Sequence, residues 1–229
     1  MGFLTCAEMK ALEEAAFGRG VSAEALMDEA GAAMGRFLVA HYPDPGTAVA
    51  YLGKGNNGGD ALVALAVLRE AGWQVAVRSS SPRGELGDLP RRKWSQLGDI
   101  PLFAGPGDVR RSRRPLLLLD GLLGIGARGA VREPLLSLAV EMNALRRDAG
   151  ARVAAVDIPS GVDADTGEVG EGAVQADVTC PIAVGKPGLV RDSCLDHVGR
   201  LELIPLPELT TAAGGEDLIT PAILRPLFP

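Results

Sequence analysis

The sequence predicts a three-layer α/β/α fold, with helices on both faces of a doubly wound, mostly parallel, Rossmann-like sheet. Three observations point to it. β-prone and amphipathic helical runs alternate along the chain, the pattern of right-handed crossovers between parallel strands. The run at residues 116–119 is apolar at every position, as expected of a strand covered on both faces. Several such runs end in glycine and aspartate, at the strand ends where these folds bind ligands. With 229 residues and 47% hydrophobic composition, one large domain with an ample core is favoured over two small ones.

The elements follow in order. Thr5-x-x-Glu8 is a capping box opening a helix with Met9, Leu12, Ala16 and Phe17 on one face. Residues 18–21 break it, and Ser22 caps a second helix through Leu26, Met27, Ala30, Met34 and Phe37. That helix ends at Tyr42-Pro43-Asp44-Pro45-Gly46. Its small residues, 30–33, make a surface that another element, or a second copy in a homodimer, can approach closely. Strands at 47–52 and 74–78 flank a helix over about 59–70. Residues 79–107 are predicted as a surface helix between loops. After the strand at 116–119 come a helix at 134–147 and strands at 153–156, 178–184 and 201–204.

Composition excludes several classes. A net charge of −6 argues against a general nucleic-acid binder, which presents a basic face. No segment reaches the ~18 consecutive apolar residues of a membrane span, and the N-terminus lacks a signal-peptide core. Cys6, Cys180 and Cys194 are an odd number without metal-site spacing, predicting packing roles in a reducing compartment. The expectation is a cytoplasmic protein.

Three strand ends carry chemistry. The first reads Gly53-Lys-Gly55-Asn56-Asn57-Gly58-Gly59-Asp60, where bare backbone and a helix N-terminus can receive a phosphate. The second reads Asp120-Gly-Leu-Leu-Gly124-Ile125-Gly126-Ala127-Arg128-Gly129-Ala130, and the third Asp157-Ile-Pro-Ser160-Gly161. Three carboxylates on one rim would repel, so a bound cation or a shared proton is the simplest relief.

Each motif also has a structural reading. Among 30 glycines, a GxGxxG match is weak, and two occur here, at Gly53 and Gly124. The dinucleotide fingerprint wants an acid about 20 residues on; Arg78 and Ser79 stand there, which disfavours an ordinary dehydrogenase. No GxxxxGK[ST] loop occurs. Asp163 and Asp165 suit a turn, and packing is the default role for His41 and His197. Lys186 has two open readings, an anion contact or a solvated loop lysine.

Taken together the motifs are far more specific. Lys54-Gly-Asn-Asn-Gly-Gly-Asp60, Asp120-Gly-Leu-Leu-Gly-Ile-Gly126 and Val156-Asp-Ile-Pro-Ser-Gly161 resemble the NAD(P)HX epimerase family, the YjeF N-terminal domain. Supporting matches run from Leu4 to Leu206 in family order: Leu4-Thr-x-x-Glu-Met9, Leu26-Met-Asp-Glu-Ala-Gly31, Asp163-Ala-Asp-Thr-Gly167, Ala176-Asp-Val-Thr179 and Lys186-Pro-Gly188. The resemblance implies an isomerase that interconverts the R and S epimers of hydrated NADH and NADPH (NADHX and NADPHX). It also implies substrate contacts at Asn56, Asn57, Gly58, Gly59, Asp60, Gly124 through Ala130 and Asp157. A potassium ion is implied at Asn57, Asp120 and Ser160, and a companion ADP/ATP-dependent dehydratase, paired or fused, is implied as partner. No nucleic acid or membrane partner is expected.

Chemistry supports one assignment independently. Inverting the hydroxyl-bearing ring carbon needs loss and re-addition of hydroxyl through a cation stabilised by the ring nitrogen. A carboxylate can stabilise that cation and shuttle the proton. Asp157 is the first candidate and Asp60 its rival. Gly121, Leu123 and Ile125 depart from the alanine, phenylalanine and threonine common in relatives. Residues 1–206 make the domain and 207–229 a C-terminal tail or linker, in which residues 217–229 resemble the linker that leads to a dehydratase domain in bifunctional members. A binding module without catalysis, or another nucleotide-binding enzyme on a similar sheet, are the alternatives.

Overall fold

A computed structural model describes residues 3–209; the tail from 210 to 229, the greater part of the predicted linker, lies outside the described residues. Two helices, α1 (Cys6–Gly18) and α2 (Ala23–His41), precede strand β1 (Thr47–Leu52). Helix α3 (Asn56–Glu70), strand β2 (Gln74–Ser79), helix α4 (Asp88–Leu97) and strand β3 (Leu116–Gly121) follow. The chain continues through helix α5 (Leu135–Ala149), strands β4 (Arg152–Val156) and β5 (Val178–Cys180), helix α6 (Leu195–Val198) and strand β6 (Arg200–Leu201). The six strands form one sheet in the order β2-β1-β3-β4-β5-β6, and every pairing is parallel.

The core divides by strand alternation, since successive side chains point to opposite faces. Ala48, Ala50, Leu52, Leu117, Leu119, Ala154 and Val156 pack beneath α2, α3 and α4. Val49, Tyr51, Leu116, Leu118, Val153 and Ala155 pack against Leu138, Ala139, Met142 and Leu145 of α5. A third cluster joins Met9 and Ala16 of α1 to Leu26, Val184, Leu206 and Leu209. Packing thus continues past the expected domain boundary at 206, through the short turn Pro207–Leu209.

Local chemistry explains the element ends. Thr5 and Glu8 form the predicted capping box on α1, and the Ser22 hydroxyl accepts from Ala25 N–H at the start of α2. Helix α3 begins at Asn56, three residues before the sequence expectation. Its first turn is the Asn-Asn-Gly-Gly run itself, because extended Gly55 acts as N-cap and Gly58 and Gly59 pack inward. Strand β5 stops at Cys180 because Pro181 has no N–H to continue the ladder. The small residues of α2 are consumed within the chain. A Cβ at Gly31 or Gly35 would meet the side chain of Val63 or Val67 on α3, so this face is not free for a second copy.

The chain runs from β1 outward to β2, then returns to place β3 on β1's other side. That reversal is a topological switch point, opening a crevice beyond the carboxyl ends of β1 and β3. Gly53 lies at its floor, where an added Cβ would stand 1.9 Å from the Leu122 carbonyl oxygen. Gly53→Ala is expected to force the two strand ends apart and cost about 2–3 kcal/mol, read as a lower midpoint in urea unfolding.

Candidate active site

A cavity of about 700 Å³ opens at this switch point. The start of α3 contributes Gly55, Asn56, Asn57 and Asp60, and the loop after β3 contributes residues 122–127. Asp157 and Lys186 come from beyond β4 and β5. One wall is apolar, with Met9 and Phe17 of α1, Leu26 and Met27 of α2, then Leu206 and Leu209, and with Glu13 of α1 set among them, while Lys54, Ser80 and Ser81 line another part. A second hollow of about 590 Å³ beyond β2 shares Ser80 and Ser81 with the first.

Asp157 is the best-fixed group. Its backbone sits at φ +65°, the left-handed region that only glycine, asparagine and aspartate visit readily. The Ile182 N–H donates to its Oδ1 at 2.9 Å, and the Lys186 ammonium donates to the same oxygen. Lys186 also donates to the Ile182 carbonyl at 2.8 Å, and it is 1% exposed. The solvated-lysine reading is therefore overturned: Lys186 is a buried counter-ion. Both bonds land on Oδ1, which leaves Oδ2 without a hydrogen bond among the described residues.

Asp60 lines the same cavity with no hydrogen bond or ion pair to its carboxyl among the described residues. Burial, followed by the charges of Asp157 and Glu13, holds its pKa well above the carboxylate range. Glu13 is raised too, chiefly by burial and then by Asp157. Asp157, tied to an ammonium, and Asp60, untied, thus sit in different electrostatic surroundings within one cavity.

Asp120 does not reach the cavity. It is fully buried behind the wall, where its Oδ1 accepts from Ser160 Oγ at 2.6 Å and Leu122 N–H at 3.2 Å, and its Oδ2 from Ser160 N–H at 2.8 Å. The Leu123 N–H donates to Ser160 Oγ at 2.9 Å, while Asn57 Nδ2 donates to the Leu123 carbonyl at 2.7 Å, which leaves Asn57 Oδ1 without a hydrogen bond among the described residues. Asn57 and Ser160 therefore meet at the Leu123 peptide, with Asp120 joined to them through Ser160. Burial pushes the Asp120 carboxyl up to about 6, and no cationic side chain pairs with it among the described residues. A buried negative charge ringed by neutral oxygens fits a monovalent cation.

Other predicted positions lie elsewhere. Gly58 faces the Gly53 carbonyl and Gly59 faces Met27, so both serve the packing of α3 rather than the cavity lining. Gly124, Ile125, Gly126 and Ala127 line the cavity, whereas Arg128 points away to Asp165 at 3.1 Å and Gly129 and Ala130 lie beside Gly170. At Gly121 a Cβ would stand 2.8 Å from that of Ala61. Arg78 is held by Glu141 through Nε at 3.1 Å and a terminal nitrogen at 2.9 Å, with Tyr51 on the same carboxylate. It is committed to the sheet. The thiols are raised by burial, Cys6 to about 11, and are poor nucleophiles.

The sequence pattern did not single out Glu13. Its signal was an acid at the centre of the apolar stripe Met9-Glu13-Phe17, spaced by four residues.

Fold and site together define a doubly wound α/β protein with a carboxylate-bearing ligand cavity at its switch point. Residues 23–188 match the sequence model of the family described as YjeF-related protein N-terminus, and the chain belongs to that family. It is 33% identical over 204 residues to the NAD(P)H-hydrate epimerase of Cenarchaeum symbiosum, a match covering 87% of this chain and 93% of that one. The bifunctional NAD(P)H-hydrate repair enzyme Nnr of Methanopyrus kandleri is 33% identical over 237 residues. That match covers 97% of this chain but 45% of the relative, so the chain spans under half of such bifunctional proteins. The crystal structure of yeast ynu0 has the same fold, with a TM-score of 0.74 and 20% identity, covering 89% of this chain and 87% of that one.

Proposed function

We propose that this protein is an NAD(P)H-hydrate epimerase, interconverting the R and S forms of NADHX and NADPHX in nicotinamide cofactor repair. The observation that carries this reading is Asp157: a carboxylate fixed through one oxygen by Lys186 and Ile182, with the other open to the cavity. A fixed anion at that point stabilises a ring cation without reorganising. Asp60, whose carboxyl burial shifts towards the protonated form, supplies the proton that lets hydroxide leave as water. The uncapped N-terminus of α3 suits the substrate's phosphates. Incubating either purified epimer with the protein and following the other by chromatography tests the reading. No interconversion above the buffer rate overturns it.

Potassium is part of the proposal. Asn57 Oδ1, Asp120 and Ser160 would hold it, and its charge would neutralise Asp120 and stiffen the loop after β3. Adding potassium chloride against choline chloride at equal ionic strength is expected to raise the melting temperature, by about 2–4 °C per kcal/mol of binding. Asp120→Asn removes that increment. An equal response in both salts removes potassium from the scheme.

Among the described residues no helix is long and apolar enough to cross a membrane, and we place the activity in the cytoplasm. A dehydratase acting on one epimer is the partner this reaction serves, carried on the same chain in bifunctional relatives.

A further inference from the structure

Inverting a carbon through a planar cation poses a problem of two faces. Water must leave from one face and return to the other, and each event needs a proton donor or acceptor on its own side. One carboxyl cannot serve both faces unless the ring turns over. The cavity holds three carboxyls, and Asp157 is committed through Oδ1 to Lys186. The other two, Asp60 of α3 and Glu13 of α1, come from different elements, and neither has a hydrogen bond or ion pair among the described residues. The wall bearing Glu13 is firmly held: Leu4 N–H donates to the Gly185 carbonyl at 3.0 Å, and Cys6 N–H to Asp165 Oδ1 at 2.7 Å. The first of these bonds ties the segment leading into α1 to the residue beside Lys186.

We propose that Glu13 is a second acid–base catalyst, serving one face of the ring cation while Asp60 serves the other. The inference rests on the epimerase reading. In one direction the Asp60 carboxyl protonates the substrate hydroxyl, and the C–O bonding pair leaves with the oxygen as water. The ring-nitrogen lone pair fills the vacated carbon orbital. Water then attacks the opposite face, forms the new C–O bond and gives its proton to the Glu13 carboxylate. The reverse turnover, or exchange with solvent, returns the two carboxyls to their starting forms. No oxidant or reductant is needed.

Each purified epimer is incubated in H₂¹⁸O with the wild type, Glu13→Gln and Asp60→Asn, and its configuration and label are read by chromatography and mass spectrometry. Neither substitution removes a hydrogen bond among the described residues. Glu13→Gln is expected to slow interconversion by roughly 10²-fold or more, while one epimer still takes up label with its configuration retained. Asp60→Asn should show the same behaviour for the other epimer. The proposal is overturned if Glu13→Gln interconverts the epimers near the wild-type rate, if it loses labelling of both epimers alike, or if only its KM rises. A wild type that fails to interconvert the epimers defeats the epimerase reading itself, a distinct result.

Discussion

Asp157→Asn is expected to lower epimerisation by roughly 10²–10⁴-fold, the usual range for a group that moves a proton or stabilises charge in the transition state. The variant should stay folded. Asparagine is isosteric, tolerates the left-handed backbone at this position, and its Oδ1 still accepts from Ile182 N–H and Lys186. Binding of reduced nicotinamide dinucleotides, measured by calorimetry, should change little, since the charge matters most once the ring becomes a cation. Wild-type turnover in this variant would remove Asp157 from the chemistry. Loss of binding together with activity would make it a substrate-holding group instead.

The second large effect concerns its partner. Lys186→Met deletes the ammonium from a pair whose side chains are 1% and 11% exposed, stranding a carboxylate in low dielectric. Breaking such a pair from one side costs about 3–5 kcal/mol, visible as a fall in the denaturation midpoint. Removing both charges in Lys186→Met/Asp157→Asn should recover much of that loss, because no buried charge remains unpaired. The interaction energy from the double-mutant cycle measures the coupling directly. A single Lys186→Met variant as stable as the wild type would show that the ammonium is not holding Asp157.

Both groups illustrate what the sequence could and could not convey. The strand-end motifs were legible because glycine and aspartate after an apolar run are local signals, and Asp157 and Asp60 do share a cavity. The Thr5–Glu8 box was legible for the same reason. Lys186 lies 29 residues from Asp157 and meets it only because β5 pairs with β4. No spacing rule contains that meeting. Asp120 looked like a third rim carboxylate, yet it turns inward to Ser160, 40 residues away. Which way a strand-end side chain turns depends on partners that arrive from elsewhere in the sheet. Glu13 sits outside every glycine-rich motif, and its role follows from α1 closing over the crevice. The helix start at Asn56 was missed because glycine and asparagine favour loops locally, a preference that packing of Gly58 and Gly59 overrides here.

The left-handed backbone at Asp157 also bears on how this site can decay. Most residues are penalised at φ +65°, by about 1–2 kcal/mol, before any question of catalysis arises. Asparagine escapes that penalty, keeps an oxygen for Ile182 N–H and Lys186, and is a single base change from an aspartate codon. Random drift at this position is thus filtered by the backbone towards replacements that silence the chemistry yet leave the protein intact. A lineage released from the need for catalysis would accumulate folded, ligand-competent, inactive descendants rather than unfolded ones, ready to be kept for binding alone.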